Sequence, residues 1–357
     1  GEVAVVEADT YTVTSLTGKT QTKVAEKIAW SQEEVQKGGY PHFMLKEIFE
    51  APEVIENALR GRLLPEKGRA KLGGLEALGT KLASLHSLEM VGCGSAYYVG
   101  LVGQYLLTEY ADLPVRAELG SEYRYKKNLA DKRTAFFCVS QSGETADTRA
   151  SLQKARENGQ LTLGMVNVVG SAIAREIDAG VYNHAGPEVA VASTKAFLSQ
   201  LTTMALLTLF FGRMRTMTAA EGVALATALA ELPEQARAVL TEHKKIAAFA
   251  KKYAHYENFM YLGRTSHVPI AYEGALKLKE VTYIHAEAYA GGELKHGSIA
   301  LLSPQFPVCA LVPQNDVYEK MLSNIEEVKA RNAPVIALAT AGDMRIGSIA
   351  DDGVYLP

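Results

Sequence analysis

The sequence predicts an α/β fold of two tandem units related by internal duplication, each a mostly parallel sheet flanked by helices. Three observations lead there. Short apolar runs alternate with longer segments of helical periodicity. The glycine-ended run Leu88–Gly92 has a counterpart at Phe259–Gly263, and the 30-residue spacing from Gly92 to Glu122 recurs from Gly263 to Glu293. Val308–Val312 then answers Ala135–Val139, and Pro334–Ala339 answers Leu161–Val166, so the landmarks recur in one order along the chain.

Taken in order, Gly1–Gly18 reads as two short strands, Val3–Val6 and Tyr11–Thr14, too short to bury a core alone. They read as the last strands of a domain lying upstream. Gln32–Asn57 holds a glycine and proline turn, Gly38-Gly39-Tyr40-Pro41, leading into a helix, with a second helix starting near Pro52. Leu88–Gly92 is a buried strand, Tyr97–Glu109 a helix, and Thr134–Val139 a strand that runs through Ser140-Gln141-Ser142-Gly143-Glu144-Thr145 into a helix ending near Glu157. Leu161–Val166 is a third strand. Helices are expected over Ser193–Arg213 and Ala219–Tyr253 before the pattern restarts at Phe259, and Asp351–Pro357 reads as a closing strand. A unit of this type normally continues further, so C-terminal residues are expected beyond Pro357, and the start at Gly1 rather than Met reads as a processed or partial chain.

Composition bounds the function. The 357 residues are 48% hydrophobic and 22% charged, a globular composition long enough for two cores. A formal charge of −3, from 37 basic and 40 acidic residues, argues against a broad nucleic-acid surface. The longest uncharged stretches, such as Leu201–Phe211, are too short to span a bilayer. Cys93, Cys138 and Cys309 form no close pair, which fits free thiols in a reducing, cytoplasmic setting. Neither metal-ligand spacing nor a dinucleotide or P-loop pattern occurs, so no cofactor and no metal are expected.

The sharpest local signal is Ser140–Thr145, between a strand and a helix. The first amides of a helix have no intrahelical acceptor and can hold an anion. Gly143 admits close approach, and the hydroxyls of Ser140, Ser142 and Thr145 are donors suited to phosphate oxygens. Helix capping alone explains the same residue types. The twin segment Val312-Pro313-Gln314-Asn315-Asp316 tips the balance: it lacks the hydroxyls, and its proline lacks an amide hydrogen. One copy thus reads as a binder and the other as its support.

The second signal runs from Glu273 to Gly297. Glu273 and Lys277 lie four apart on one helix face, a spacing that a solvated surface also shows. Ketose–aldose chemistry needs a carboxylate base, preferably with a raised pKa, and a group to open the sugar ring. Glu280 and His296 are candidates for these tasks; His285 and Glu287 compete with them.

At these residues the chain resembles the glutamine–fructose-6-phosphate transaminase (isomerizing) family, in its isomerase part of two SIS domains. Ser140–Thr148, Val191–Phe197, Glu273–Glu280, Leu294–Gly297 and Pro41–Ile48 match that family's motifs, and the likeness runs from Gly1 to Pro357. The resemblance implies residues 1–20 as the end of a glutaminase domain and linker start, 21–216 as linker helices and first SIS domain, and 217–357 as a second SIS domain truncated at its tail. It implies ring opening, imine formation and proton transfer between carbons 1 and 2, turning fructose 6-phosphate and ammonia from glutamine into glucosamine 6-phosphate. This chain itself would lack the glutaminase activity.

By the same resemblance, Ser140, Gln141, Ser142 and Thr145 hold phosphate, while Val191 and Ser193 line the sugar. Glu280 is the base, Lys277 an active-site lysine, and His296 the ring-opening histidine supplied by a neighbouring subunit, which implies a homodimer with shared sites. Two departures stand out. Cys93-Gly94-Ser95-Ala96 retains the Ser95 hydroxyl but has Ala96 where the family has a serine that touches sugar or phosphate. The family's tail, with a lysine that forms a Schiff base, has no match before Pro357. A SIS-type glucosamine-6-phosphate deaminase and a sugar-phosphate sensor are the alternatives.

Overall fold

The computed structural model describes residues 1–23, 36–127 and 131–357, and the chain divides into two compact units, Gly1–Gln36 and Lys37–Pro357. The linker expected after residue 21, and the opening of the Gln32–Asn57 segment, lie largely outside the described residues. In the first unit, β1 (Glu2–Val6), β2 (Tyr11–Ser15) and β3 (Thr20–Gln21) form an antiparallel sheet in sequence order, close to the two strands expected.

The second unit begins with α1 (Phe43–Phe49) and α2 (Ala51–Leu59). A small hairpin of β4 (Leu63–Leu64) and β5 (Arg69–Ala70) follows. The first parallel sheet is built from β6 (Ser87–Gly92), β7 (Val115–Leu119), β8 (Thr134–Ser140), β9 (Thr162–Val166) and β10 (Ala179–Tyr182). Its order is β10-β9-β8-β6-β7, all parallel. Helices α3 (Ser95–Ala111) and α4 (Ala146–Glu157) cross over between strands, and α5 (Lys195–Met214) closes one face.

Every residue of β8 is buried, and its two-residue period sorts them onto two cores. Phe137 and Val139 face the cluster with Met90, Leu163, Met204 and Phe211, whereas Phe136 and Cys138 face the one with Leu152 and Ile173. Helix α5 approaches α3 closely because Gly103 has no side chain; a Cβ there would meet the Met204 sulfur at 2.7 Å. By length and composition this 20-residue helix passes as a membrane span, a longer apolar element than the Leu201–Phe211 stretch. With 78% of its apolar window buried inside the protein, it is a core helix.

Thr218 starts α6 (Ala219–Thr241) with a reciprocal capping box: its hydroxyl accepts from the Glu221 amide, and the Glu221 carboxylate accepts from the Thr218 amide. The single helix expected over Ala219–Tyr253 is two. At Glu242 the backbone tightens to an i→i−3 bond onto Val239, and α7 (His243–Tyr253) continues from there.

The second parallel sheet holds β11 (Asn258–Gly263), β12 (His285–Ala290), β13 (Val308–Val312), β14 (Val335–Thr340) and β15 (Asp352–Leu356), ordered β12-β11-β13-β14-β15. Helices α8 (Val268–Thr282) and α9 (Tyr318–Lys329) take the places of α3 and α4. Strand for strand the two sheets have one topology, as the duplication requires. In both, the chain leaves the central strand to one side and returns on the other, so the order reverses between β6 and β8 and again between β11 and β13. Loops leaving the carboxyl ends of such a strand pair open side by side into a crevice.

The twin turns that end β6 and β11 are tight for the same reason. A Cβ on Gly92 would lie 2.8 Å from the Ala96 carbonyl carbon, and one on Gly263 would lie 2.4 Å from the His267 carbonyl oxygen. Neither glycine has a positive φ, so space and not backbone freedom selects it. Gly92→Ala and Gly263→Ala are each expected to cost about 1–3 kcal/mol of unfolding free energy, measured by chemical denaturation, because backbone must move to admit the methyl group.

Candidate functional site

The crevice between β6 and β8 carries the predicted anion loop. Ser140 ends β8 and is buried. Its Oγ accepts from the Gly143 amide at 3.0 Å and lies 3.3 Å from Thr145 Oγ1. Ser142 Oγ accepts from the Glu144 amide at 3.1 Å. Gly143 sits at φ +66°, and a Cβ on it would lie 2.0 Å from Ser171 Oγ, so both conformation and space demand glycine. The Glu144 carboxylate turns away from the loop to accept from the Ala172 amide at 2.7 Å. Gln141 contributes its carbonyl to the Asn167 amide.

No side chain caps α4, because Thr145 at its start makes no capping hydrogen bond. The first amides of the helix therefore have no acceptor from that side chain, as is also the case for Val317 before α9. Asp147 in its first turn is paired with Arg124 at 2.7 Å, which offsets the one acidic group there.

The matching loop of the second sheet is closed by its own groups. The Gln314 amide donates to Thr340 Oγ1, and the Val317 amide to Asn315 Oδ1. Tyr318, first residue of α9, donates its hydroxyl to the buried Asp343 carboxylate at 2.8 Å. The first residue of α4 is Ala146, which presents nothing of the kind.

Ser95, in the first turn of α3, links this crevice to α8. Its Oγ donates to Glu273 Oε1 at 2.8 Å. Lys277 Nζ lies 3.4 Å from Ser95 Oγ, 3.5 Å from Glu273 and 2.5 Å from Glu280 Oε2. One lysine therefore bridges a buried and an exposed carboxylate, and Tyr98 packs on Tyr272 across the same helix pair at 5.6 Å between ring centroids. Ser95, Lys277 and Glu280 are brought together as the candidate chemistry requires.

Glu273 is the member that residue pattern did not single out. It is 6% exposed, and burial raises its carboxyl above the ordinary carboxylate range, a push that Lys277 and Ser95 only partly offset. Its Oε2 has no hydrogen-bond partner among the described residues. Its i→i+4 relation to Lys277 was visible in the sequence; its burial was not. Glu273 is thus the buried carboxylate of the cluster and Glu280 the exposed one.

The remaining candidates fall elsewhere. Val191 is fully exposed and Ser193 half-buried, in the irregular stretch between β10 and α5. His296 is exposed on the turn Gly291–His296 after β12. No bond joins it to Glu280 or Lys277 among the described residues. The competitors His285 and Glu287 face each other at 3.5 Å on β12, and Glu287 accepts from the Tyr289 hydroxyl. Cys138 and Cys309 are buried, with thiol pKa pushed up to about 12, so neither is a nucleophile at neutral pH. No cluster of metal-ligating side chains occurs among the described residues.

Comparison with known proteins agrees with the two-domain fold. The model of the SIS domain family matches residues 81–210 and 252–357. The glutamine–fructose-6-phosphate aminotransferase (isomerizing) of Chlorobaculum tepidum is 43% identical over 357 residues, and one from Thermus thermophilus is 44% identical over 358 residues. Each match covers 100% of this chain but only 58% and 59% of the relative, so the chain spans about three-fifths of their length. The solved C-terminal domain of glucosamine-fructose-6-phosphate aminotransferase from Francisella tularensis superposes with a TM-score of 0.85 at 34% identity, covering 90% of this chain and 91% of that one.

Glu273 has a measurable signature. A carboxyl held above its unfolded value keeps its proton longer in the native state, so its contribution to stability is present below the ordinary carboxylate range and is lost as pH rises through the native titration. Glu273→Gln mimics the protonated form. Its thermal midpoint is expected to equal or exceed that of the parent at pH 7.5, with the difference shrinking toward pH 4.5. A variant that is less stable at neutral pH, by the same melting measurement, contradicts this account.

Proposed function

The chain belongs to the SIS domain family, as the isomerase part found in glutamine–fructose-6-phosphate aminotransferases, and from that premise we propose that it binds fructose 6-phosphate and works on carbons 1 and 2 of the open sugar. One observation carries the reading: the hydroxyl-lined loop at the uncapped end of α4 and the Ser95–Glu273–Lys277–Glu280 chain both belong to the β6/β8 crevice.

In this reading Ser140, Gln141, Ser142 and Thr145 hold the phosphate, with Ser95 beside them. Val191 and Ser193 line the sugar. Glu280 carries the proton between carbons 1 and 2, and Lys277 holds its carboxylate in place. Glu273, buried behind the lysine, fixes Lys277 through a second ion pair. His296 opens the ring. In the same proposal the protein is a homodimer, and the neighbouring subunit supplies this histidine. The product is glucosamine 6-phosphate when ammonia is present, drawn from glutamine by a glutaminase domain. The division at residues 1–20, 21–216 and 217–357, and a cytoplasmic setting, belong to the same proposal; the buried free thiols are compatible with it.

Two variants test the assignment. Glu280→Gln is expected to lower hexose-phosphate interconversion by about 10²–10⁴-fold while the protein still binds substrate; undiminished turnover removes Glu280 from the role. Ser142→Ala is expected to weaken fructose 6-phosphate by about 10- to 100-fold in calorimetric titration, the loss of one hydrogen bond to a charged acceptor.

A further inference from the structure

We propose that Glu47 is a positioning residue for sugar recognition, a buried carboxylate that holds the loop carrying Val191 and Ser193; the proposal rests on the reading of the site just given. The segment between β10 and α5 has neither helix nor strand from Asn183 to Thr194, so its backbone amides need partners other than a helix or strand ladder. Two carboxylates supply them. Glu47 on α1 is 2% exposed, and its Oε1 accepts from the Val189 amide at 2.6 Å and the Ala190 amide at 3.2 Å. Glu188 Oε1 accepts from the Thr194 amide at 2.8 Å and the Ala196 amide at 3.0 Å, tying the far side of the loop to the start of α5.

Residues 191–193 are therefore the apex between two clamps. The first clamp is anchored a second time at Glu50, the junction between α1 and α2. Glu50 takes Lys195, the buried first residue of α5, at 2.6 Å, and Lys46 at 3.2 Å. The result is a fully exposed valine on a backbone held on both sides. Burial of α1 alone does not call for Glu47, since an apolar side chain of similar size fills such a place without desolvating a charge. Its Oε2 has no hydrogen-bond partner among the described residues, so the carboxylate is kept for the two bonds of its other oxygen. The motif Pro41–Ile48 thus acquires a task at a site to which it contributes no contacting residue.

The test measures binding of fructose 6-phosphate and of inorganic phosphate to the whole chain by calorimetry. Glu47→Asp keeps the charge but draws it back by one methylene, out of reach of both amides. It is expected to raise the Kd of fructose 6-phosphate about tenfold and to leave that of inorganic phosphate within about twofold, because only the sugar meets the loop. Glu47→Gln keeps an acceptor oxygen and is expected to stay within about threefold of the parent for both ligands. Equal weakening of both ligands by Glu47→Asp marks a merely structural role and overturns the proposal, as does no weakening. If Glu47→Asp does not fold, amide exchange in the unaltered chain decides. The Val189 and Ala190 amides are expected to exchange at least about a hundredfold more slowly than free loop amides, and exchange at loop rates overturns the clamp. An unaltered chain that binds inorganic phosphate but not fructose 6-phosphate overturns the reading of the site, and this proposal with it. Sugar binding that is indifferent to Glu47→Asp overturns this proposal alone.

Discussion

The hydrogen bond from Ser95 to Glu273 is the interaction on which the site depends. It joins residues 178 positions apart and ties α3 of the first sheet to α8 of the second. Because α3 and α8 follow equivalent strands of the duplicated unit, each half turns the same structural element toward the other. The first half supplies the anion loop beside that contact. The second supplies the lysine and two carboxylates. Neither half holds the whole set, so the relative placement of the two helices governs whether the groups meet at all.

Duplication also places two helix starts in equivalent positions, with different side chains around them. The same reversal of strand order occurs in both sheets, so geometry alone offers two sites. Side chains decide between them. In the first, Gly143 and Ala146 leave the start of α4 bare, and Arg124 neutralises Asp147. In the second, Tyr318 and the buried Asp343 occupy the corresponding place, and a carboxylate there repels the dianion that a bare helix end attracts. Asp343 caps its own short helix through the Arg345 and Ile346 amides, so this carboxylate is committed to the fold.

What the sequence made legible follows from burial. Strands β6, β8, β9, β11, β13 and β14 lie inside their sheets and read as short apolar runs. The edge strands β7, β10 and β12 did not stand out: Val115–Leu119 alternates with Arg116 and Glu118, Ala179–Tyr182 is four residues long, and His285–Ala290 carries a histidine and a glutamate. Edge position relaxes the demand for apolar side chains that makes a strand readable, although the fourth edge strand, β15, was still legible as the closing run Asp351–Pro357. The break at Glu242 was hidden for a related reason, since both sides of it have good helix formers and Pro233, a stronger breaker by type, is accommodated within α6. The anion loop was legible because its residue types and its strand–helix setting are local. Glu273 was not, because an acid four residues before a lysine describes a solvated face equally well, and its burial arises from a helix far away in the chain.

Glu47 and Glu273 each spend stability in one manner: a carboxylate is buried with one oxygen bonded and the other without a partner among the described residues. A buried acid of this kind is costlier than an apolar residue of similar volume. Folding alone therefore gives no reason to keep either. One lies behind Lys277 and the other behind the loop of Val191 and Ser193. Each fixes a flexible neighbour, a lysine side chain or an irregular backbone, that would otherwise have to be ordered when substrate arrives. Ordering it beforehand moves that entropic cost from binding to folding. A site assembled from a loop and a long cationic side chain needs such rigid acids more than one built on strands does, and the placement of the two carboxylates follows that need.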